Sequence, residues 1–202
     1  MLDRYAIRWL RPAMEAGARG LQRLGVRADQ VTWAGFALGA AAAVAIAAQQ
    51  FLAGLALLLA SRALDGLDGA LARRTTPTDR GAFLDITLDF LFYAAIPLAF
   101  ALADPLANAL AAAVLLAAFV GTGSTFIVYA ALAAQRGQKS VAYPSKGFYY
   151  LGGLTEATET IACFALMCLW PQHFAAFAYG FAALCTLTIA TRLAAGWRGL
   201  QP

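Results

Sequence analysis

Residues 65–89 read DGLDGALARRTTPTDRGAFLDITLD and place four aspartates, at positions 65, 68, 85 and 89, inside or beside strongly apolar runs. A charged side chain at the centre of a membrane-embedded helix costs at least ~2.5–3.5 kcal/mol. Four uncompensated carboxylates would together cost on the order of 10 kcal/mol. We therefore expect bound cations to offset them.

The spacing of the aspartates predicts two carboxylate pairs. Residues three or four apart share one face of a helix, so Asp65 projects with Asp68 and Asp85 projects with Asp89. The intervening loop, 74–80, is short and contains a proline, so we expect the two helices to be antiparallel neighbours. Hard divalent cations such as Mg²⁺ prefer all-oxygen sites of this kind, especially where substrate phosphates complete the coordination shell.

The same stretch resembles the signature of the CDP-alcohol phosphotransferase family, D-x-x-D-G-x-x-A-R, a spacer, then G-x-x-x-D-x-x-x-D. All eight defining positions are present: Asp65, Asp68, Gly69, Ala72, Arg73, Gly81, Asp85 and Asp89. The spacer has seven residues, one fewer than the most usual form, and this difference falls in the loop. Eight fixed positions are far more specific than a lone glycine-rich motif. The resemblance extends to phosphatidylglycerophosphate synthase-like members.

This resemblance implies an enzyme of phospholipid biosynthesis. It would transfer a phosphatidyl group from a CDP-linked lipid, such as CDP-diacylglycerol, to the hydroxyl of a small alcohol and release CMP. One or two ions, Mg²⁺ or Mn²⁺, would be held by Asp65, Asp68, Asp85 and Asp89, and Asp89 would also take the proton of the acceptor hydroxyl. The implied contacts to the CDP-lipid are Thr32, Gly69, Ala72, Arg73 and Gly81. Family members pair as homodimers, which we expect here too.

A second family element, P-N-x-x-T at the start of the first span, is matched in part. Ala28 replaces the proline, Asp29 replaces the asparagine, and Thr32 matches the threonine. We expect Asp29 to cap the first span, because an aspartate before a helix accepts hydrogen bonds from free backbone N–H groups. The resemblance implies nucleotide contact for Thr32.

Composition predicts an all-α integral membrane protein. Of 202 residues, 61% are hydrophobic and 13% are charged, which excludes an ordinary soluble domain. A membrane-spanning helix needs about 20 apolar residues. Six apolar segments are predicted as transmembrane helices: 30–49, 51–73, 82–102, 106–134, 147–169 and 173–195. The chain then divides into a juxtamembrane segment, 1–28, and a six-helix membrane domain, 29–202.

Residues 2–24 predict an amphipathic helix at the membrane surface, whose arginines contact headgroups while its apolar side chains enter the acyl boundary. We expect Pro12 and Gly17 to break or bend this helix. A solvated basic arm is the alternative.

The distribution of basic residues predicts orientation. With six spans, both termini and the loops that contain Arg73, Arg136 and Lys139 fall on one side, and the opposite loops contain no Lys or Arg. The positive-inside rule places that side, with the aspartates, at the cytoplasmic face of a bacterial inner membrane. The net charge of +4 then reflects topology and contact with anionic membrane lipids, and no nucleic-acid motif competes with this interpretation.

Charged residues outside the signature are candidates for acceptor binding: Arg62, Lys139, Lys146, Glu156, Glu159 and Arg192. Arg62 either neutralises carboxylates or contacts substrate phosphate. The two glutamates either line the acceptor pocket or pair with an arginine. The basic candidates suit a phosphorylated acceptor, whereas the glutamates suit a hydroxyl-rich or cationic one. We favour glycerol 3-phosphate, and an inositol compound, serine or another alcohol remains open.

A divalent-cation transporter is the alternative from another class. It predicts midplane carboxylates and two related halves, yet residues 106–202 contain no counterpart of 65–89. An inactive relative is disfavoured because all four aspartates and Arg73 are present. The three cysteines are interpreted as small core residues, and His173 as a surface residue.

Overall fold

The protein is all α-helical over the residues that the computed structural model describes, 3–136 and 154–199, with side chains described from residue 9 onward. The predicted fold class is confirmed. Over these ranges the helices are α1 (Asp3–Arg23), α2 (Ala28–Ala47), α3 (Phe51–Arg74), α4 (Asp79–Ala103), α5 (Pro105–Gln135), α6 (Ala157–Leu169) and α7 (Phe174–Gly199), with a 3₁₀ turn, Pro171–His173, before α7.

Four described segments are long and apolar enough to cross a membrane: Ala28–Ala47, Asp79–Ala103, Pro105–Gln135 and Pro171–Gly199. The predicted count of six spans is not confirmed. Helix α3 has the length of a span, but it carries Arg62 and two aspartates among its apolar residues. Helix α6 has only 13 residues, and part of the predicted fifth span, 147–153, lies outside the described residues.

Helix α2 packs against both α3 and α4, and those two are not themselves a closely packed pair in the described chain. The two helices nevertheless meet through their side chains, as expected of neighbours, since Nη1 of Arg62 in α3 donates to Oδ1 of Asp89 in α4 at 2.6 Å. Small residues allow the close approach of α2, as they do at many membrane helix interfaces. A Cβ at Gly35 would lie 3.4 Å from the carbonyl oxygen of Ser61, and a Cβ at Gly39 would lie 2.7 Å from the ring of Phe92.

The apolar core lies beyond the aspartates along α4. One turn after the last aspartate, Phe92 is almost fully buried, and Ile96 and Phe100 follow on the same face. Phe100 stacks on Phe174 with ring centroids 4.6 Å apart, and Phe164 contacts Phe92 edge-on. Helix α4 therefore joins the carboxylate region to the core. The cysteines at 163, 168 and 185 are buried in this core, as predicted, and His173 is exposed.

Helix α1 packs against α3 through small and flexible residues. Ala18 is fully buried, a Cβ at Gly17 would meet Leu67, and a Cβ at Gly66 would lie 3.2 Å from the sulfur of Met14. This packing favours a docked helix over a solvated basic arm.

The opposite face of α1 is exposed. Trp9 has 85% of its surface accessible, as an interfacial helix requires. Elsewhere on α1, Arg11 donates to Glu15 at 2.7 Å, and this hydrogen bond lowers the pKa of the Glu15 carboxyl. The helix runs uninterrupted through Pro12 and Gly17, so the expected break at these residues is wrong.

The contact between α2 and α4 predicts a difference between two identical substitutions. Gly39→Ala would force its new methyl group into the ring of Phe92, so we expect a loss of stability of about 1–3 kcal/mol. Gly180→Ala, in α7, meets no atom within 4 Å and should leave stability unchanged or raise it by about 0.5–1 kcal/mol. Thermal unfolding of both variants in detergent measures this, and equal midpoints would contradict the close approach.

Candidate functional site

Three of the predicted carboxylates meet in space. Asp65 and Asp68, one turn apart on α3, and Asp85, on α4, bring carboxylate oxygens within 4.8 Å of one another. Asp68 is buried, Asp65 is half-buried and Asp85 is exposed, so the group runs from the helix interface towards the surface. The α3 pair follows from helical spacing, whereas the meeting with α4 depends on how both helices pack on α2.

The surroundings of Asp68 fit a bound cation. Only 4% of this residue is exposed, and its Oδ2 has no hydrogen-bond partner among the described residues. Thr32, whose hydroxyl donates to the carbonyl oxygen of Ala28 at 3.1 Å, is a neighbour of the Asp68 side chain. A buried carboxylate oxygen without a partner is costly, and a hard cation would satisfy it. An all-carboxylate ligand set suits Mg²⁺ or Mn²⁺.

Asp89 has a different partner. The Nη1 of Arg62 donates to Oδ1 of Asp89 at 2.6 Å and lies 3.3 Å from Oδ1 of Asp65. Of the two roles predicted for Arg62, these contacts favour neutralisation of the aspartates. Asp89 does not join the three clustered carboxylates, and its predicted role as a fourth metal ligand stays a prediction.

Arg62 is itself firmly held. Its Nη2 donates to the hydroxyl of Ser61 at 3.2 Å, and that hydroxyl donates to the carbonyl oxygen of Gly35 at 2.7 Å. The guanidinium carbon lies 3.9 Å from the centre of the Phe92 ring, within the range of a cation–π contact. Only 9% of the Arg62 side chain is exposed. The position of this cation is therefore set by α2, α3 and α4 together.

A small open cleft lies between these three helices. Its lining consists of Thr32, Gly35, Phe36, Arg62, Asp65, Asp85, Leu88 and Asp89. Sequence reasoning missed Gly35, Phe36 and Leu88. The α2 residues could have been found from Thr32, because positions three and four residues later lie on the same helix face.

Of the residues predicted to contact the CDP-lipid, Thr32 lines the cleft, whereas Gly69, Ala72, Arg73 and Gly81 do not. A Cβ at Gly69 would lie 3.3 Å from Nη1 of Arg73, so the exposed guanidinium of Arg73 reaches back over this glycine. The N–H of Gly81 donates to the hydroxyl of Thr78, which caps α4. Ala72, which directly precedes Arg73 in the sequence, is half-buried. A side chain at either glycine would meet these polar groups.

The predicted cap at Asp29 is wrong, because α2 already begins at Ala28. The preceding residue, Arg27, donates its backbone N–H to Oε1 of Gln30 at 2.9 Å. Asp29 instead lies in the first turn, where a Cβ at Gly81 would approach its Oδ1 to 3.5 Å. Its carboxylate therefore faces the start of α4.

Three of the predicted acceptor residues, Glu156, Glu159 and Arg192, do not line the cleft. Lys139 and Lys146 are outside the described residues. Glu156 precedes α6 as its N-cap residue, and Glu159 follows in the first turn. Arg192 is buried in α7 and donates to the carbonyl oxygen of Thr122 at 3.0 Å. Within the described chain, Arg62 is the one acceptor candidate that lines the cleft.

Comparison with known proteins places this geometry among phospholipid enzymes. The model of the family described as CDP-alcohol phosphatidyltransferase matches residues 26–193, which include all four aspartates. The inner membrane protein YnjF of Escherichia coli is 51% identical over 201 residues, which cover 100% of this chain and 98% of that protein.

Two solved structures of one Mycobacterium tuberculosis protein, the phosphatidylinositol phosphate synthase PgsA1, are also similar. The structure with CDP-DAG bound is 26% identical, with a TM-score of 0.64, and the match covers 91% of this chain and 93% of that one. The complex with manganese and citrate is 24% identical, with a TM-score of 0.63 and coverage of 91% and 88%. At that identity the second match shows a shared fold.

Removal of one clustered carboxylate should abolish tight metal binding. Asp68→Asn lacks the charge of the most buried carboxylate in the group. Because losing a residue that only supports a metal ligand already lowers metal affinity by about 10–100-fold, we expect the loss of this ligand to lower Mn²⁺ affinity by more than about 100-fold. Asp79→Asn, an exposed aspartate in the first turn of α4, is the matched control and should bind as the wild type does. Titration of free Mn²⁺ by electron paramagnetic resonance measures both, and equal affinities would contradict the site.

Proposed function

We propose that this chain, which belongs to the CDP-alcohol phosphatidyltransferase family, transfers the phosphatidyl group of CDP-diacylglycerol to the hydroxyl of a phosphorylated small alcohol and releases CMP. Divalent-metal-dependent phosphotransfer is the chemistry of the family, so the protein is an enzyme and not a cation transporter. The choice of acceptor and the role of each residue are our proposal. The observation that carries it is the three-carboxylate group at the cleft, with Asp89 beside it.

The carboxylates and Arg73 would both bind the donor, CDP-diacylglycerol. A divalent ion held by Asp65, Asp68 and Asp85 would neutralise the pyrophosphate and the charge that develops on the leaving CMP. Arg73, whose guanidinium reaches over Gly69, offers a fork of donors that matches phosphate oxygens. These residues bind and orient the CDP group so that its lipid-side phosphorus faces the acceptor.

Asp89 acts on the acceptor in this proposal. The acceptor hydroxyl loses its proton to Asp89 while its oxygen forms a bond to the lipid-side phosphorus, and the bond from that phosphorus to CMP breaks. Arg62 donates to Oδ1 of Asp89, so Oδ2 is the oxygen that accepts the proton. The pairing with Arg62 also fixes the carboxylate in one orientation at the cleft wall.

Glycerol 3-phosphate is the acceptor that we propose first, on the strength of the small chain and its basic residues. Inositol phosphate is the second candidate. It is favoured by the 26% identical structure, whose protein is named a phosphatidylinositol phosphate synthase. Both acceptors share a hydroxyl for attack and a phosphate for recognition by a cation, for which the lysines at 139 and 146 are our candidates.

The membrane setting supports a meeting of lipid donor and soluble acceptor. Apolar helices of spanning length, and a 51% identical relative named an inner membrane protein, indicate a bacterial inner membrane protein. We further propose that both termini and the cleft face the cytoplasm and that the chain forms a homodimer. Labelling of introduced cysteines from either side of vesicles, and cross-linking in membranes, test these two statements.

Release of CMP from CDP-diacylglycerol by the purified protein tests the reaction. We expect no release in a chelator, restored release with Mg²⁺ or Mn²⁺, and turnover with glycerol 3-phosphate ahead of inositol phosphate, serine and free inositol. Product identification by mass spectrometry names the acceptor. Metal-independent release would contradict the donor chemistry, and turnover with inositol phosphate alone would replace the first acceptor by the second.

Loss of the proposed base should stop turnover without unfolding the protein. Asp89→Asn keeps the shape of the side chain but lowers its basicity, so we expect CMP release to fall by about 10²–10⁴-fold. Asp79→Asn, on the same helix, should keep full activity. Gel filtration confirms that both variants remain folded. Wild-type turnover by Asp89→Asn would show that another group takes the proton.

A further inference from the structure

Helix α1 is seated on the turn of α3 that carries two of the clustered aspartates. The residues of α3 that meet it are Gly66 and Leu67, which stand between those aspartates in the sequence. A Cβ at Gly66 would lie 3.2 Å from the sulfur of Met14, and a Cβ at Gly17 would lie 2.6 Å from Cδ2 of Leu67. A displacement of α1 would therefore release the backbone between the two carboxylates.

The apolar contact that holds α1 is small and separate from the main core. Its buried members, Ala18, Val31, Ala70 and Leu71, form a group apart from the core around Phe92. Among the α1 side chains that the structure describes, Ala18 is the one that is buried. Units with few buried apolar contacts open at low free energy. A further contact outside the helix bundle would therefore strengthen the seat of α1 on α3.

One flank of α1 gathers positive charge around a single carboxylate. Arg11 donates to Glu15 at 2.7 Å, and this hydrogen bond is the main cause of the lowered pKa of the Glu15 carboxyl. The charges of Arg19 and Arg74 lower that pKa further. Arg74 also donates to Oε1 of Gln22 at 3.1 Å, which joins the end of α3 to this flank. Three exposed guanidinium groups around one carboxylate leave the flank with an excess of positive charge.

Apolar side chains are exposed elsewhere on the same helix. Trp9, which is two residues before Arg11 and so points in another direction, is 85% accessible, and Leu24, just after α1, is 79% accessible. A helix with arginines on one side and large apolar residues on another suits a membrane interface, where anionic headgroups attract the arginines. A soluble acidic partner would satisfy the arginines but would leave Trp9 and Leu24 in water.

We propose that an anionic phospholipid surface binds the exposed arginines of α1 and, by keeping this helix seated on Gly66 and Leu67, holds the two aspartates of α3 in the geometry that binds divalent metal. The inference rests on the proposed function, because it concerns the metal-binding turn of the same site. Gly17 and Leu67 are then positioning residues, which act through the aspartates and touch neither metal nor substrate. The lipid surface is a partner additional to the donor and the acceptor.

Displacement of α1 in detergent tests its link to the metal site. Gly17→Leu places a branched side chain where Leu67 lies, so we expect Mn²⁺ affinity to fall by about 10–100-fold, as it does when a residue that supports a metal ligand is lost. Addition of Leu67→Ala to this variant vacates the space and should restore most of the affinity. Electron paramagnetic resonance measures free Mn²⁺, and gel filtration confirms folding.

Gly20→Leu is the matched control for this substitution. It introduces the same side chain into the same helix, but a Cβ at Gly20 meets no atom within 4 Å. It should bind Mn²⁺ as the wild type does.

Reconstitution into vesicles tests the link to anionic lipid. CMP release from a fixed small fraction of CDP-diacylglycerol is measured at saturating Mg²⁺, in phosphatidylcholine alone and in phosphatidylcholine with phosphatidylserine, an anionic lipid without a free hydroxyl to act as acceptor. We expect the wild type to work at least about fivefold faster on the anionic surface, the contribution of one arginine near anionic lipid. Arg11→Gln combined with Arg19→Gln should lose this response. Arg198→Gln, an exposed arginine at the end of α7, is the control and should keep it.

Failure of this inference differs from failure of the proposed function. Equal Mn²⁺ affinities in folded Gly17→Leu and Gly20→Leu, or equal CMP release by the wild type on the two surfaces, would overturn the inference and keep the function. A wild type that releases no CMP on either surface would reject the function, and the Mn²⁺ titrations would still decide whether α1 supports the metal site. If Gly17→Leu does not fold, the lipid response of the wild type and of the double arginine variant decides the inference.

Discussion

The cost of carboxylates within an apolar helix bundle is the constraint on which this structure depends. Helix α3 carries Asp65 and Asp68 in a segment that otherwise resembles a membrane span. Each charge needs a partner, and the chain supplies one from the preceding turn of the same helix, where Arg62 stands three residues before Asp65. Asp68 has no cation of its own in the described chain, which is why that side of the group suits a divalent ion.

The same residues pack the helices together and build the candidate functional site. Because Gly39 has no side chain, the ring of Phe92 can pack against α2. The same ring contacts the guanidinium of Arg62. Gly35 similarly exposes its carbonyl oxygen to Ser61, which in turn accepts from Arg62. Helix α2 therefore does two things: it lines the cleft together with α3 and α4, and it supports, through Ser61, the guanidinium that contacts Asp89.

Local features of this fold and site follow from sequence, whereas relations between helices do not. Helical spacing is enough to pair Asp65 with Asp68, and apolar composition is enough to predict an all-α membrane protein. The packing of α2 against both α3 and α4 could not be predicted from the spacing of the aspartates, because it depends on the close approach at Gly35 and Gly39. The cap expected at Asp29 is wrong by two residues, because the side chain of Gln30 accepts from the N–H of Arg27 and α2 starts at Ala28.

The pairing of Arg62 with Asp89 joins residues 27 positions apart, so no periodicity reveals it. Once the contact is known, the choice of arginine has a physical reason. One planar guanidinium contacts Asp89 and Asp65 through Nη1, donates to Ser61 through Nη2, and has its central carbon 3.9 Å from the centre of the Phe92 ring. A lysine ammonium is a single point charge without this fork. It would retain the neutralisation of Asp89 but lose the orientation, so charge and geometry at this position are separable contributions to the site.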